Sequence, residues 1–105
     1  MTRIDCGPLE EFPSGTARRV DAGSFAVAVV RCADAVYAIG DRCTHADISL
    51  SEGEVSCEDA TLECWKHGST FSLLDGQPLS LPATKPVATY ATGIDGGRVW
   101  VQVDG

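Results

Sequence analysis

The sequence predicts an all-β domain, a sandwich or barrel of antiparallel strands. Three observations carry this. Short runs rich in valine and other β-branched residues recur along the chain, and turn residues punctuate them at short intervals. No window of helical length carries a 3.6-residue apolar stripe. With 105 residues, the chain is expected to be one domain spanning 1–105. It shows no internal repeat, linker or low-complexity tract.

The elements can be placed in order. Residues 25–31 (FAVAVVR) and 35–39 (AVYAI) flank Ala33-Asp34 and read as a β-hairpin. Residues 87–94 and 98–103 (RVWVQV) flank Asp95-Gly96-Gly97, the strongest short-range hairpin signal in the chain. Further turns are expected at Pro13-Ser14-Gly15, Glu52-Gly53, Asp75-Gly76 and Pro78. Between residues 41 and 71 the pattern changes, and four potential metal ligands fall among loops and short strands.

Charge and composition narrow the function classes. Eight Lys and Arg against fifteen Asp and Glu give a net charge of −7. Nucleic acid phosphates and anionic membrane surfaces would be repelled, whereas a basic patch on a partner protein would be attracted. No signal-peptide stretch follows Met1, and the longest apolar run, residues 25–30, is too short to span a bilayer. A cytoplasmic location, with no membrane and no nucleic acid partner, is therefore expected. Five cysteines cannot all pair internally, and in a reducing compartment they serve more often as metal ligands or small buried hydrophobes.

The chemistry-bearing residues are Cys43-Thr44-His45 and Cys64-Trp65-Lys66-His67, with eighteen residues between the two segments. The chain has only two histidines, and both sit beside a cysteine at ligand spacing. Structural zinc also takes two cysteines and two histidines, but commonly draws like ligands from one element. Here each segment offers one of each. That suits a binuclear iron–sulfur centre, with both thiolates on one iron and both imidazoles on the other. On spacing alone, a structural zinc module remains the alternative.

The segments CTHADISLSEG and CWKHGSTF resemble the two cluster-binding loops of Rieske ferredoxins. The likeness extends to the strand-rich start, the LPATKP stretch and the final hairpin, and is greatest to the small ferredoxin subunits of bacterial non-haem iron, ring-hydroxylating oxygenases. It implies antiparallel sheets with two hairpin loops clasping one [2Fe–2S] cluster through Cys43, His45, Cys64 and His67. A third, proline-bearing loop at Pro82 would cover the cluster. The gap between the loops is slightly longer than in many members, so the intervening hairpin is expected to bulge. By the same resemblance the chain is not itself an enzyme. It would be a monomeric one-electron carrier, taking electrons from a flavin reductase and giving them to an oxygenase or another redox enzyme.

The resemblance also bears on potential. Rieske centres span about −150 to +300 mV. High-potential members cross-link their loops through two further cysteines, where this chain has Ile48 and Lys66. They also place a serine and a tyrosine after the second histidine to donate hydrogen bonds to sulfur; here the positions hold Ser69 and Phe71. The low end, about −150 to 0 mV, is expected. Exposed imidazole N–H groups would also make the potential fall at alkaline pH.

Two further readings bear on function. An oxygenase would need a second iron site with more histidines than remain, so that reading fails. Service to iron–sulfur cluster assembly or redox sensing stays open, because SLSEGEV and ECWKHGS also resemble short ferredoxins of assembly systems. Trp65 and Lys66 would shield the cluster or contact a partner, or else Trp65 is a loop aromatic packing against its own hairpin. Gly40 and Gly68 would give backbone freedom beside the ligand loops. Cys6 and Cys32 read as buried small hydrophobes, and Cys57 as unpaired, with a redox or ligand-exchange role as its functional alternative. The acidic residues Glu10, Glu11, Asp47, Glu52, Glu54, Glu58 and Asp59 would form a docking face or a solvated surface.

Overall fold

Valine-rich alternation becomes two sheets with a shared wall. The computed structural model describes residues 2–21, 26–42, 49–65, 68–81 and 85–103. The strands are β1 (Thr2–Pro8), β2 (Thr16–Asp21), β3 (Ala26–Cys32), β4 (Ala35–Gly40), β5 (Glu54–Ser56), β6 (Thr61–Glu63), β7 (Thr70–Ser72), β8 (Thr89–Asp95) and β9 (Arg98–Val103). One-turn 3-10 helices lie at Leu9–Glu11 and Leu50–Glu52. A six-stranded sheet has the order β1-β9-β8-β4-β3-β2, and β5-β6-β7 form a second, smaller sheet. Among the described residues every strand pairing is antiparallel.

Both predicted hairpins form. β3 and β4 pair through Cys32 and Ala35 around Ala33-Asp34, and β8 and β9 turn on Gly96 and Gly97. β8 begins two residues later than the predicted run. Val87 donates its N–H to the Gly76 carbonyl (2.9 Å) and is buried in the core. The hairpin between the ligand segments does not bulge: Glu54, Val55 and Ser56 pair in regular register with Glu63, Leu62 and Thr61. Its length is taken up in the turn from Cys57 to Ala60, where Ala60 adopts a positive φ of 54°. A bulge does occur in β1, between Asp5 and Gly7.

β3 is the partition between two cores. Successive side chains of a strand point to opposite faces, and all four from Val27 to Val30 have no exposed surface. Ala28 and Val30 join Ile39, Leu50, Leu62, Cys64, Phe71 and Leu73 in the first core. Val27 and Val29 join Phe12, Ala38, Val99, Val101 and Val103 in the second. Each fully buried valine contributes about 1.5–3 kcal/mol by removal from water. The first core supports the ligand segments, and the second closes the base of the sheet.

At the periphery, Arg98 donates to both carboxylate oxygens of Asp5 (3.1, 3.1 and 2.7 Å), joining β1 to β9. This hydrogen bonding holds the Asp5 carboxyl below its ordinary value. The fork therefore contributes above the usual carboxylate pKa and loses that contribution as pH falls through the lowered one. Arg3 stacks over Trp100 at 3.8 Å from the ring centre.

Candidate metal centre

Cys43, His45 and His67 lie outside the described residues, as do Asp47, Ile48, Lys66 and Pro82. Cys64 and the stems of both loops lie within them.

The first stem is closed by Asp41. Arg42 and Ser49 form an isolated antiparallel bridge across the base of the segment 43–48. The Asp41 carboxylate, on a side chain only 5% exposed, accepts from the Ser49 hydroxyl and from the Ser51 N–H (2.8 Å). Arg19 Nε lies 4.0 Å from the same carboxylate, and the Asp41 carbonyl accepts from the Leu50 N–H. Asp41→Ala would leave the part-buried Ser51 N–H without its acceptor, while the Ser49 hydroxyl keeps Ser51 Oγ as a partner, and is expected to cost about 1–3 kcal/mol, read as a lowered urea midpoint. Sequence reasoning did not single out Asp41. Its only signal was an acidic residue two positions ahead of the C-x-H segment.

The second stem is the β6–β7 hairpin. The Cys64 N–H donates to the Ser69 carbonyl (2.6 Å), and the Gly68 N–H donates to the Cys64 carbonyl (2.9 Å). Gly68 has a φ of +75°, the left-handed conformation a glycine adopts without strain, as expected. Gly40 instead lies in β4 with room for a side chain. Cys64 and Ser69 are fully buried, and Cys64 is in no disulfide.

The two stems meet in the first core, where Leu50, just past the first segment, packs with Leu62, Cys64 and Phe71. Gly53 makes this possible. A Cβ there would overlap the carbonyl of Glu63, the residue before Cys64. That backbone cannot yield easily, because β6 is paired on both sides. The sequence marked Gly53 only as a turn; its role is a close approach of two backbones.

The approach to Pro82 runs beside the second stem. Leu79 donates its N–H to the Thr70 carbonyl (2.6 Å), and the Ser80 hydroxyl lies near both Gly68 and Thr70. Trp65, Leu79 and Leu81 are exposed. Glu10, Glu11, Glu52, Glu54, Glu58 and Asp59 are also exposed.

The cysteines require a correction. Cys32 and Cys57 are joined as a disulfide with a Cα separation of 5.5 Å, within the usual span. Cys32 is therefore no plain buried hydrophobe, and Cys57 is not unpaired. An odd cysteine count excludes complete pairing, not a single pair, and only the tertiary meeting of two turns reveals this one. Cys6 remains free and half-buried in the second core, where burial first and the neighbouring Asp5 second push its thiol pKa up.

Among the described residues, no helix is long and apolar enough to cross a membrane. Comparison with known proteins then identifies the family. A Rieske [2Fe–2S] domain matches residues 2–91. The 3-phenylpropionate/cinnamic acid dioxygenase ferredoxin subunit of Escherichia coli (strain K12) is 40% identical over 103 residues, covering 98% of this chain and 95% of that protein. The ferredoxin of carbazole 1,9a-dioxygenase from Nocardioides aromaticivorans IC177 superposes with a TM-score of 0.94 at 32% identity, covering 99% of this chain and 100% of that one. A chain from a complex of reduced oxygenase and oxidized ferredoxin in carbazole 1,9a-dioxygenase gives 0.88 at 33% identity, covering 97% of both. Nine antiparallel strands and one buried free cysteine among the described residues, two loop stems converging on that cysteine, and a domain match over most of the chain's length agree: this chain belongs to the Rieske [2Fe–2S] family.

Proposed function

We propose that this chain is a one-electron carrier of a dioxygenase system, working in the cytoplasm as a monomer of one domain. It holds one [2Fe–2S] cluster through Cys43, His45, Cys64 and His67, receives electrons from a flavin reductase and delivers them to a non-haem iron oxygenase. The observation that carries this reading is the convergence of both loop stems on Cys64, in a fold matching dioxygenase ferredoxins.

The donor set fits the group. Of five cysteines, Cys32 and Cys57 are consumed by each other, and Cys6 sits in the other core. Cys43 and Cys64 remain for one iron, and the two histidines of the chain serve the other. When bound, such a cluster accepts and returns a single electron. The protein's part is to fix the ligands. Asp41 closes the first loop, the Cys64–Ser69 and Gly68–Cys64 hydrogen bonds shape the second, and Gly53 lets the two stems touch. Trp65, Leu79 and Leu81 give the partner an apolar rim beside the second loop, of the kind that carries binding energy at interfaces.

Phe71 supports a low potential. It is fully buried and has no hydroxyl to donate toward the centre, so the reduced state lacks one hydrogen bond that high-potential members provide. The midpoint is expected between about −150 and 0 mV. A value above about +200 mV would overturn the low-potential assignment.

Metal and sulfide analysis with EPR tests the function directly. Purified protein is expected to be red-brown, with about two irons and two sulfides per chain. After anaerobic reduction it should give a rhombic signal with an average g below 2. Stopped-flow mixing with a dioxygenase-system reductase should bleach the visible bands within a turnover time. A colourless, EPR-silent protein containing zinc would sink the proposal.

A further inference from the structure

The Cys32–Cys57 pair has no part in holding the cluster, yet it stands at a seam of the fold. Cys32 is the last residue of β3, packed against the first core, and Cys57 is the first residue of the β5–β6 turn. The bond therefore fastens the small sheet to the large one. It spans a sequence separation of 25 residues, and the closed loop contains Asp41, the whole segment 43–48, the Ser49 bridge and Gly53. Along β5 and β6 it grips the end of the hairpin away from the ligand stems, about 13 Å from Gly53 and about 10 Å from Glu63 by strand rise. Opening it leaves the ligand residues untouched but frees the far end of the hairpin that carries Cys64.

Accessibility is asymmetric. Cys57 is exposed, and Cys32 is only partly so. An incoming thiolate thus meets Cys57 Sγ first, with Cys32 as the leaving group. In a reducing compartment a disulfide is rarely a permanent staple and is usually transient, catalytic or redox-sensing. An exposed bond at the junction of two sheets fits that class better than a buried one would.

We propose that Cys32–Cys57 is a second redox site, a two-electron thiol–disulfide exchange site that takes a dithiol as reductant and sets how firmly the cluster-bearing hairpin is held. One thiolate of the dithiol attacks Cys57 Sγ, the Cys32–Cys57 S–S bond breaks, and Cys32 leaves as a thiolate that takes up a proton. The second thiol of the reductant then attacks its own sulfur in the mixed disulfide and releases Cys57. Two electrons and two protons pass from the dithiol to the pair, and the dithiol ends as a disulfide. A one-electron centre would have to deliver twice to complete this reduction, whereas a dithiol supplies both electrons in one exchange.

The test uses the holoprotein in two arms. Non-reducing digestion and mass spectrometry of the air-isolated protein should yield a cross-linked peptide pair containing residues 32 and 57. Millimolar dithiothreitol should convert it to two alkylatable cysteines in protein that keeps its circular dichroism. Iron transfer to a ferrous chelator should then accelerate severalfold. A C32S/C57S variant should release iron at the faster rate from the start and show no further response to dithiothreitol. The proposal is overturned by absence of the cross-linked pair, by a bond that stays closed in the folded protein under dithiothreitol, or by equal release rates with the bond open and closed. The peptide arm reads the cysteine pair whether or not the cluster ligands are correctly assigned, so the two proposals fail separately.

Discussion

Cys64→Ser is expected to abolish the visible absorption of the purified protein and bring its iron content from about two per chain to near zero. Cys64 is fully buried at the point where β6 gives way to the second loop, so the substitution acts at the centre of the first core and not at its edge. Serine preserves the shape, which separates loss of the soft thiolate donor from loss of packing. Cys43→Ser, His45→Ala and His67→Ala are expected to give the same colourless product, because each removes one of the four proposed donors. Cys6→Ser is the control. Cys6 lies in the second core beyond β3, and its substitution should leave the EPR signal unchanged. Iron analysis and EPR of the five variants would decide. Full cluster occupancy in any one of the four donor variants would remove that residue from the ligand set.

Much of this architecture was legible because its signals are local. The β8–β9 hairpin follows from Asp95-Gly96-Gly97, where two successive residues adopt positive φ at no steric cost. The β3–β4 hairpin follows from an unusual density of valine, which the structure explains: a strand walled by core on both faces has no polar side to reveal. The small sheet was not legible strand by strand. β5, β6 and β7 are three residues each, too short to show a period, and their pairing depends on what lies behind them. The ligand segments stood out by composition, since both histidines of the chain fall beside cysteines. What stayed hidden were relations between distant residues. Gly53 against the Glu63 carbonyl and Cys32 against Cys57 arise only when separate turns are brought together, and no spacing along the chain encodes them.

The division of the interior by β3 leads to a paired expectation for two phenylalanines. Phe71 and Phe12 are both fully buried, the first among Leu50, Leu62 and Cys64, the second among Val27, Val29 and Val99. Truncating either to alanine removes a large apolar side chain from a packed site and leaves a cavity, at about 3–5 kcal/mol. For a domain whose whole stability is about 5–15 kcal/mol, that is a substantial fraction. Urea titration should therefore show similarly large falls in midpoint for Phe71→Ala and Phe12→Ala. Their effects on the centre should differ. Phe71 pairs across the sheet with Leu62, and their strands carry the second ligand loop, so its cavity lets the Cys64 stem relax. Phe71→Ala is expected to shift the EPR g-values and speed iron loss to a chelator, whereas Phe12→Ala should leave both at wild-type values while the protein remains folded. Phe71→Leu, which keeps most of the volume, should recover the spectrum and most of the midpoint. If Phe12→Ala perturbs the centre as strongly as Phe71→Ala, the two cores are one mechanical unit and β3 does not insulate the ligand stems. If the spectrum moves only with Phe71, support of the centre resides in the first core, and the rest of the fold can vary without altering the centre's spectrum.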